Sequence, residues 1–108
     1  MEYVVSVKPD DASAGGWIIQ YFDWAGPGHP VLKRNIEWTS VGGGEFRGSI
    51  VASGPRCCLA CTLIFGVKIV VSIEPDAQVV FPDGQSFPIT FEPDLTQDEQ
   101  TICFAVGG

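Results

Sequence analysis

Basic residues are what this chain has least of. Six lysines and arginines stand against 13 aspartates and glutamates, so the 108 residues carry a net charge of -7 with the single histidine neutral. Phosphate backbones are bound through clustered Lys and Arg, so nucleic acid is not the expected partner. Charge of either sign is sparse too, at 18% of residues, while hydrophobic residues make up 45%. Disorder needs the opposite balance, because only weak hydrophobicity and strong self-repulsion keep a chain from collapsing. The longest apolar stretch, residues 57–73, contains Lys68 and falls short of the ~20 residues that a transmembrane helix needs. The opening Met1-Glu2-Tyr3-Val4-Val5 has neither the basic nor the apolar region of a secretory leader, so a cytoplasmic location is expected. No repeat, linker or shift in composition divides the chain, and residues 1–108 are expected to form one domain.

Catalytic equipment is equally scarce. His29 is the only histidine, so a Ser-His or Cys-His pair would have to use it from the loop Ala25-Gly26-Pro27-Gly28-His29-Pro30, with Asp23 near enough in sequence to orient it. No G-x-S-x-G turn supplies a nucleophile. Gly42-Gly43-Gly44 lacks both the Gly-Lys-Ser/Thr ending and the following helix of a phosphate loop, and reads as a hairpin tip. The expectation is a protein that is not an enzyme and has no cofactor.

Four cysteines are present: Cys57, Cys58, Cys61 and Cys103. Cys58-Leu59-Ala60-Cys61 has the spacing that places two thiolates on one metal, yet a structural zinc site commonly uses two such pairs and the second is missing. Redox C-x-x-C motifs open a helix, whereas this one runs into the strand-like Thr62-Leu63-Ile64-Phe65. In a strand, Cys57 and Cys61 share one face and Cys58 takes the other. Buried free thiols are the leading expectation. A disulfide such as Cys61–Cys103, and a metal set of Cys57, Cys58, Cys61 and Cys103, are the alternatives.

Eight prolines and 13 glycines punctuate what remains, leaving short runs of Val, Ile, Phe, Trp and Thr that suit strands and little room for helices. Strands are expected at 2–8, 16–24, 31–40, 45–52, 57–65, 67–74, 77–81, 86–91 and 100–106. Only Asp94-Leu95-Thr96-Gln97-Asp98-Glu99 suggests a helical turn, with Thr96 and Glu99 spaced as a capping box. The fold class is all-β: a single-domain antiparallel β-sandwich of about seven to nine strands. Positions 46, 48 and 50, and again 87, 89 and 91, alternate inward. The run Ile69-Val70-Val71 does not alternate, which predicts a central strand covered on both faces.

The segment Leu95-Thr96-Gln97-Asp98-Glu99-Gln100-Thr101-Ile102-Cys103 resembles the turn and strand that carry the second cysteine of immunoglobulin domains. It implies an immunoglobulin-like topology over about ten residues. Thr101 stands where the tyrosine corner has Tyr, and no cysteine precedes Trp38 to pair across the sheets, so the resemblance does not extend to family membership.

Three features point to binding. In Trp17-Ile18-Ile19-Gln20-Tyr21-Phe22-Asp23-Trp24, one face is expected to enter the core and the other to remain a platform, so Trp17, Tyr21 and Trp24 are candidates for carbohydrate or lipid-headgroup contact. Residues 69–108 hold seven acids and no base, whereas residues 33–68 hold five bases against two acids. Asp94, Asp98 and Glu99 are therefore candidates for steering a basic protein partner, as a small acidic inhibitor or immunity-type protein would. His29 joins the candidate binding residues by its place beside Trp24. A structural or assembly subunit, forming a homo-oligomer through an edge strand such as 2–8, is the third class.

Overall fold

The computed structural model describes residues 1–10, 16–64, 67–75, 89–93 and 99–106. These form nine strands: β1 (Glu2–Pro9), β2 (Trp17–Trp24), β3 (Arg34–Asn35), β4 (Thr39–Gly42), β5 (Glu45–Val51), β6 (Arg56–Leu63), β7 (Ile69–Pro75), β8 (Ile89–Phe91) and β9 (Glu99–Ala105). A five-stranded sheet in the order β4-β5-β1-β7-β8 packs against a four-stranded sheet in the order β3-β2-β6-β9. All pairings are antiparallel. The all-β sandwich expected from composition is the fold observed.

Period-two alternation supplies the core. Tyr3, Val5 and Val7 of β1, Ile50 of β5 and Ile69, Val71 and Ile73 of β7 turn inward from the larger sheet, where they meet Ile19, Cys57, Leu59, Cys61 and Phe104 of the smaller. Fully burying an aliphatic or aromatic side chain contributes roughly 1.5–3 kcal/mol, so these positions dominate stability. Tyr3 meets Phe104 edge to face at 4.9 Å between ring centroids, tying the two sheets at one end. Among the described residues no charged side chain is buried.

Several expectations need correction. The run 31–40 is not one strand. Arg34–Asn35 pairs with β2 in the smaller sheet and Thr39–Gly42 pairs with β5 in the larger. Between them Ile36 is buried and Trp38 half-buried, because the chain dips between the sheets to change from one to the other. Residues 69–71 lie in a strand flanked on both sides, by β1 and β8, but Val70 and Ser72 on its outer face are only half-buried. Cover on both faces belongs instead to β6, where every residue from Cys57 to Cys61 is buried. Strand 2–8 is not an edge, since β1 pairs with β5 on one side and β7 on the other. Glu99 opens β9 rather than closing a helical turn. The expected strand at 77–81, positions 86–88 and residues 94–98 lie outside the described residues.

The glycine run forms the β4–β5 hairpin. Gly43 and Gly44 have φ of 64° and 78°, which is the positive pair that a two-residue type I′ turn requires. Gly48 serves a different purpose, because there the chain crossing between the sheets comes closest. A Cβ at Gly48 would collide with Ile36 Cγ2, lie 3.0 Å from the Glu37 carbonyl oxygen and 3.3 Å from the Trp38 ring.

Candidate functional site

Buried free thiols, the leading expectation, hold for Cys57 and Cys61 but not for Cys58 and Cys103, and the disulfide differs from the alternative Cys61–Cys103. Cys58 is bonded to Cys103, while Cys57 and Cys61 are free and buried. Register explains the choice. Cys58 lies directly opposite Cys103, whereas Cys61 lies opposite Gln100 and faces the core. The Val106 N–H donates to the Pro55 carbonyl, so hydrogen-bonded pairs alternate from there and Cys58/Cys103 falls at a non-hydrogen-bonded position, where Cα atoms approach most closely. The bond lies within one sheet, unlike the inter-sheet pin of immunoglobulin domains.

Burial pushes the Cys61 thiol up to about 12, and burial together with the Asp23 carboxylate does the same for Cys57. Both are therefore neutral and unreactive at pH 7. The four cysteines do not assemble as a ligand set, and no metal-holding group of His, Cys, Asp and Glu occurs among the described residues. Because each folded-state value lies above the ordinary value of 9.0, unfolding releases protons between pH 9 and 12. Each thiol thus lowers stability by about 1.4 kcal/mol per pH unit in that window and has no such effect below it. Urea unfolding across pH 8–11 should show this steep alkaline limb, and C57A/C61A should flatten it. An identical limb in the variant would show that the thiols stay protonated in neither state or in both.

The aromatic candidates do not form one platform. Trp17 and Tyr21 face inward against the core cluster. Trp17 meets Trp38 edge to face at 5.1 Å and tilts against Phe46 at 5.8 Å. Trp24 lies on the opposite face with Phe22, Cys58 and Ala60, and the Arg56 guanidinium sits 5.5 Å from its ring centroid. His29 is exposed on the β2–β3 connection. Asp23 does not orient it. One Asp23 carboxylate oxygen accepts from the Ser53 and Gly54 N–H groups at 3.1 and 3.3 Å, and the other accepts from the Ser53 hydroxyl at 3.0 Å. Asp23 thus anchors the chain where it crosses from β5 to β6.

The acidic candidates are also partly committed elsewhere. Glu99 bonds Lys33 at 3.0 Å, joining opposite edges of the smaller sheet across its outer face. Lys68 lies 3.9 Å from Glu92. In both pairs a base of the middle segment meets an acid of the final one, so folding interleaves charges that the linear sequence separates. Asp94 and Asp98 lie outside the described residues.

The site that sequence reasoning missed is a groove of about 670 Å³ beside β5. Val4, Arg47, Gly48 and Ser49 line it from the larger sheet, and Asn35, Glu37 and Thr39 from the segment that changes sheets. Its origin is the departure of β4, which accompanies β5 only as far as Thr39 opposite Arg47. The Ala52 N–H donates to the Met1 carbonyl at 2.9 Å, which sets the alternation of the β1–β5 ladder. Gly48, Ile50 and Ala52 turn their backbone groups toward β1, so Ser49 and Val51 turn theirs to the side that β4 has left. Among the described residues no strand pairs with them there. Glu2 and Glu74 occupy the same outer face, as exposed as Glu37 on the groove wall. None of these three carboxylates has an ion-pair partner among the described residues, while Arg47 lies 3.9 Å from Glu45. The alternation Asn35, Glu37, Thr39 was visible in sequence, but its meaning depends on where the strand breaks. No protein-family model, curated protein or solved structure matches this chain, so the function of the groove has to be argued from its own chemistry.

Proposed function

We propose that the chain is a non-enzymatic protein-binding module whose partner is basic. The observation that carries this reading is the groove beside β5 with Glu37 on its wall and Glu2 and Glu74 on the adjoining face, all three without cationic partners among the described residues. Glu37, Glu2 and Glu74 outnumber Arg47, the one cation of the groove among the described residues, in a chain of net charge -7, and acids in such excess attract lysine and arginine and repel phosphate. Of the C-terminal acids first considered, Glu99 is paired with Lys33 and Asp94 and Asp98 lie outside the described residues, so the reading rests on Glu37, Glu2 and Glu74. A carbohydrate reading is weaker, because Trp17 and Tyr21 are spent on the core and no aromatic ring among the described residues lines the groove. A cross-strand disulfide persists best in an oxidising compartment, so we place the module there in preference to the cytoplasm. No helix among the described residues is long and apolar enough to cross a membrane.

Selection of a displayed random 12-residue peptide library on the immobilised protein tests the reading. Enriched peptides should be rich in Lys and Arg, and E37K/E74K should lose about tenfold or more in affinity for them, as reversal of charge at a docking site does. Enrichment of acidic or uncharged peptides, or equal binding by the variant, would remove the basis for a basic partner at this site.

A further inference from the structure

We propose that the groove takes an extended basic peptide by strand addition to Ser49 and Val51 of β5. This rests on the protein-binding reading and adds the mode of capture. The backbone makes the first argument. Ser49 and Val51 direct N–H and C=O groups to the side vacated by β4, and exposed edge groups of this kind take up ladder bonds when another strand arrives. Gly48–Val51 offers about 13 Å of edge at ~3.4 Å per residue, enough for four partner residues.

Of the other edges, β9 is longer, at seven residues, but none of its residues lines the groove, and the rest are poorer templates. β3 has two residues, β8 has three and is followed two positions on by Pro93, and β4 carries a register shift at Ser40/Gly42. Short edges, prolines and bulges are the devices by which sheets discourage added strands. The edge at Ser49 and Val51 is short too but carries no proline or bulge, and a groove lies beside it in which an added strand can lie.

Charge selects the occupant. Every second side chain of an added strand falls on the outer face, where Glu2 and Glu74 stand on β1 and β7, while the groove itself presents Glu37 and Arg47, the latter beside Glu45, so that acids outnumber that cation. A peptide with Lys or Arg at alternate positions fits that arrangement. A second copy of this chain does not, because the same acids would face each other. An amphipathic helix would require an apolar trough, and among the described residues Val4 is the only large apolar one lining the groove.

The test uses the full chain labelled with 15N and a blocked six-residue peptide alternating lysine and valine. Its comparator is the fully N-methylated analogue, which keeps the side chains and charge but has no N–H donors. Strand addition predicts that the parent peptide slows hydrogen exchange at the Ser49 and Val51 amides by about tenfold or more, and that the analogue binds about tenfold more weakly, as loss of one or two net hydrogen bonds implies. Equal binding of both peptides, with exchange at Ser49 and Val51 unchanged, overturns strand addition while leaving a basic partner in place. If neither peptide binds at low salt, the basic-partner reading falls with it.

Discussion

Complete reduction of the Cys58–Cys103 bond is expected to lower stability by about 4 kcal/mol. The two residues are 45 apart in sequence, and closing a loop of that length removes about 4 kcal/mol of chain entropy from the unfolded state at 25 °C. For a domain of this size that corresponds to a fall in melting temperature of roughly 15–25 °C. The bond also couples β9, which forms the edge of the four-stranded sheet, to β6, the strand buried on both faces. Reduction should therefore release the edge before the core, with amides of β9 losing protection ahead of those in β6. Thermal melts with and without reductant, with thiol content confirmed by mass, supply the measurement. C58A/C103A should reproduce the reduced protein. C57A/C61A should retain the full response to reductant, because those thiols cross-link nothing. A melting temperature that moves by less than about 3 °C on full reduction would mean that the unfolded chain is already restricted by other contacts.

The second large effect is expected at Gly48. Replacing it with alanine places a methyl against Ile36 Cγ2 and 3.0 Å from the Glu37 carbonyl oxygen. The side chain has some room to turn, but the carbonyl belongs to the backbone segment that joins the two sheets. Overpacking of this kind costs about 1–3 kcal/mol, and the upper end applies where backbone as well as side chain must move. Gly48→Val should cost more still. The pairing of cause and effect is tested by adding Ile36→Ala, which removes the colliding carbon. Ile36→Ala alone costs about 2–4 kcal/mol through the cavity it opens. The double variant should be more stable than the sum of the single losses by about 1 kcal/mol or more, since residues in contact couple by that order. Strict additivity in urea titrations would show that Gly48 is needed for some reason other than the approach of Ile36. Because the same segment carries Glu37 and forms the groove wall, Gly48→Ala is also expected to weaken basic-peptide binding beyond its effect on folding.

Much of the architecture was legible in the chain before any coordinates. Short apolar runs between prolines and glycines led to an all-β sandwich, and period-two alternation assigned faces correctly. Cys57 and Cys61 fall on the core side and Cys58 on the other, as strand parity demands. The same parity placed Phe46, Gly48 and Ile50 on one face, and the glycine run at a hairpin tip. Each of these is a local property. It depends on the residue itself and on neighbours one or two positions away, so a reading of the chain in order can reach it.

The remainder depended on contacts between residues far apart in sequence. Nothing local set the register of Cys103 against β6, and a displacement of three positions separates its partner Cys58 from the Cys61 of the alternative pairing. Nothing local marked the break in 31–40, because Ile36 and Trp38 alternate as any strand would. The break arises where Ile36 packs over Gly48, 12 positions away. Strand order was equally hidden, which is why β1 was read as an edge although it lies between β5 and β7. Lys33–Glu99 and Lys68–Glu92 pair two acids of the final segment with bases of the middle one, which the linear sequence keeps apart. Faces follow from a two-residue period carried by the chain itself, whereas register, strand order and the groove they leave beside β5 follow from which surfaces fit together once the two sheets have packed.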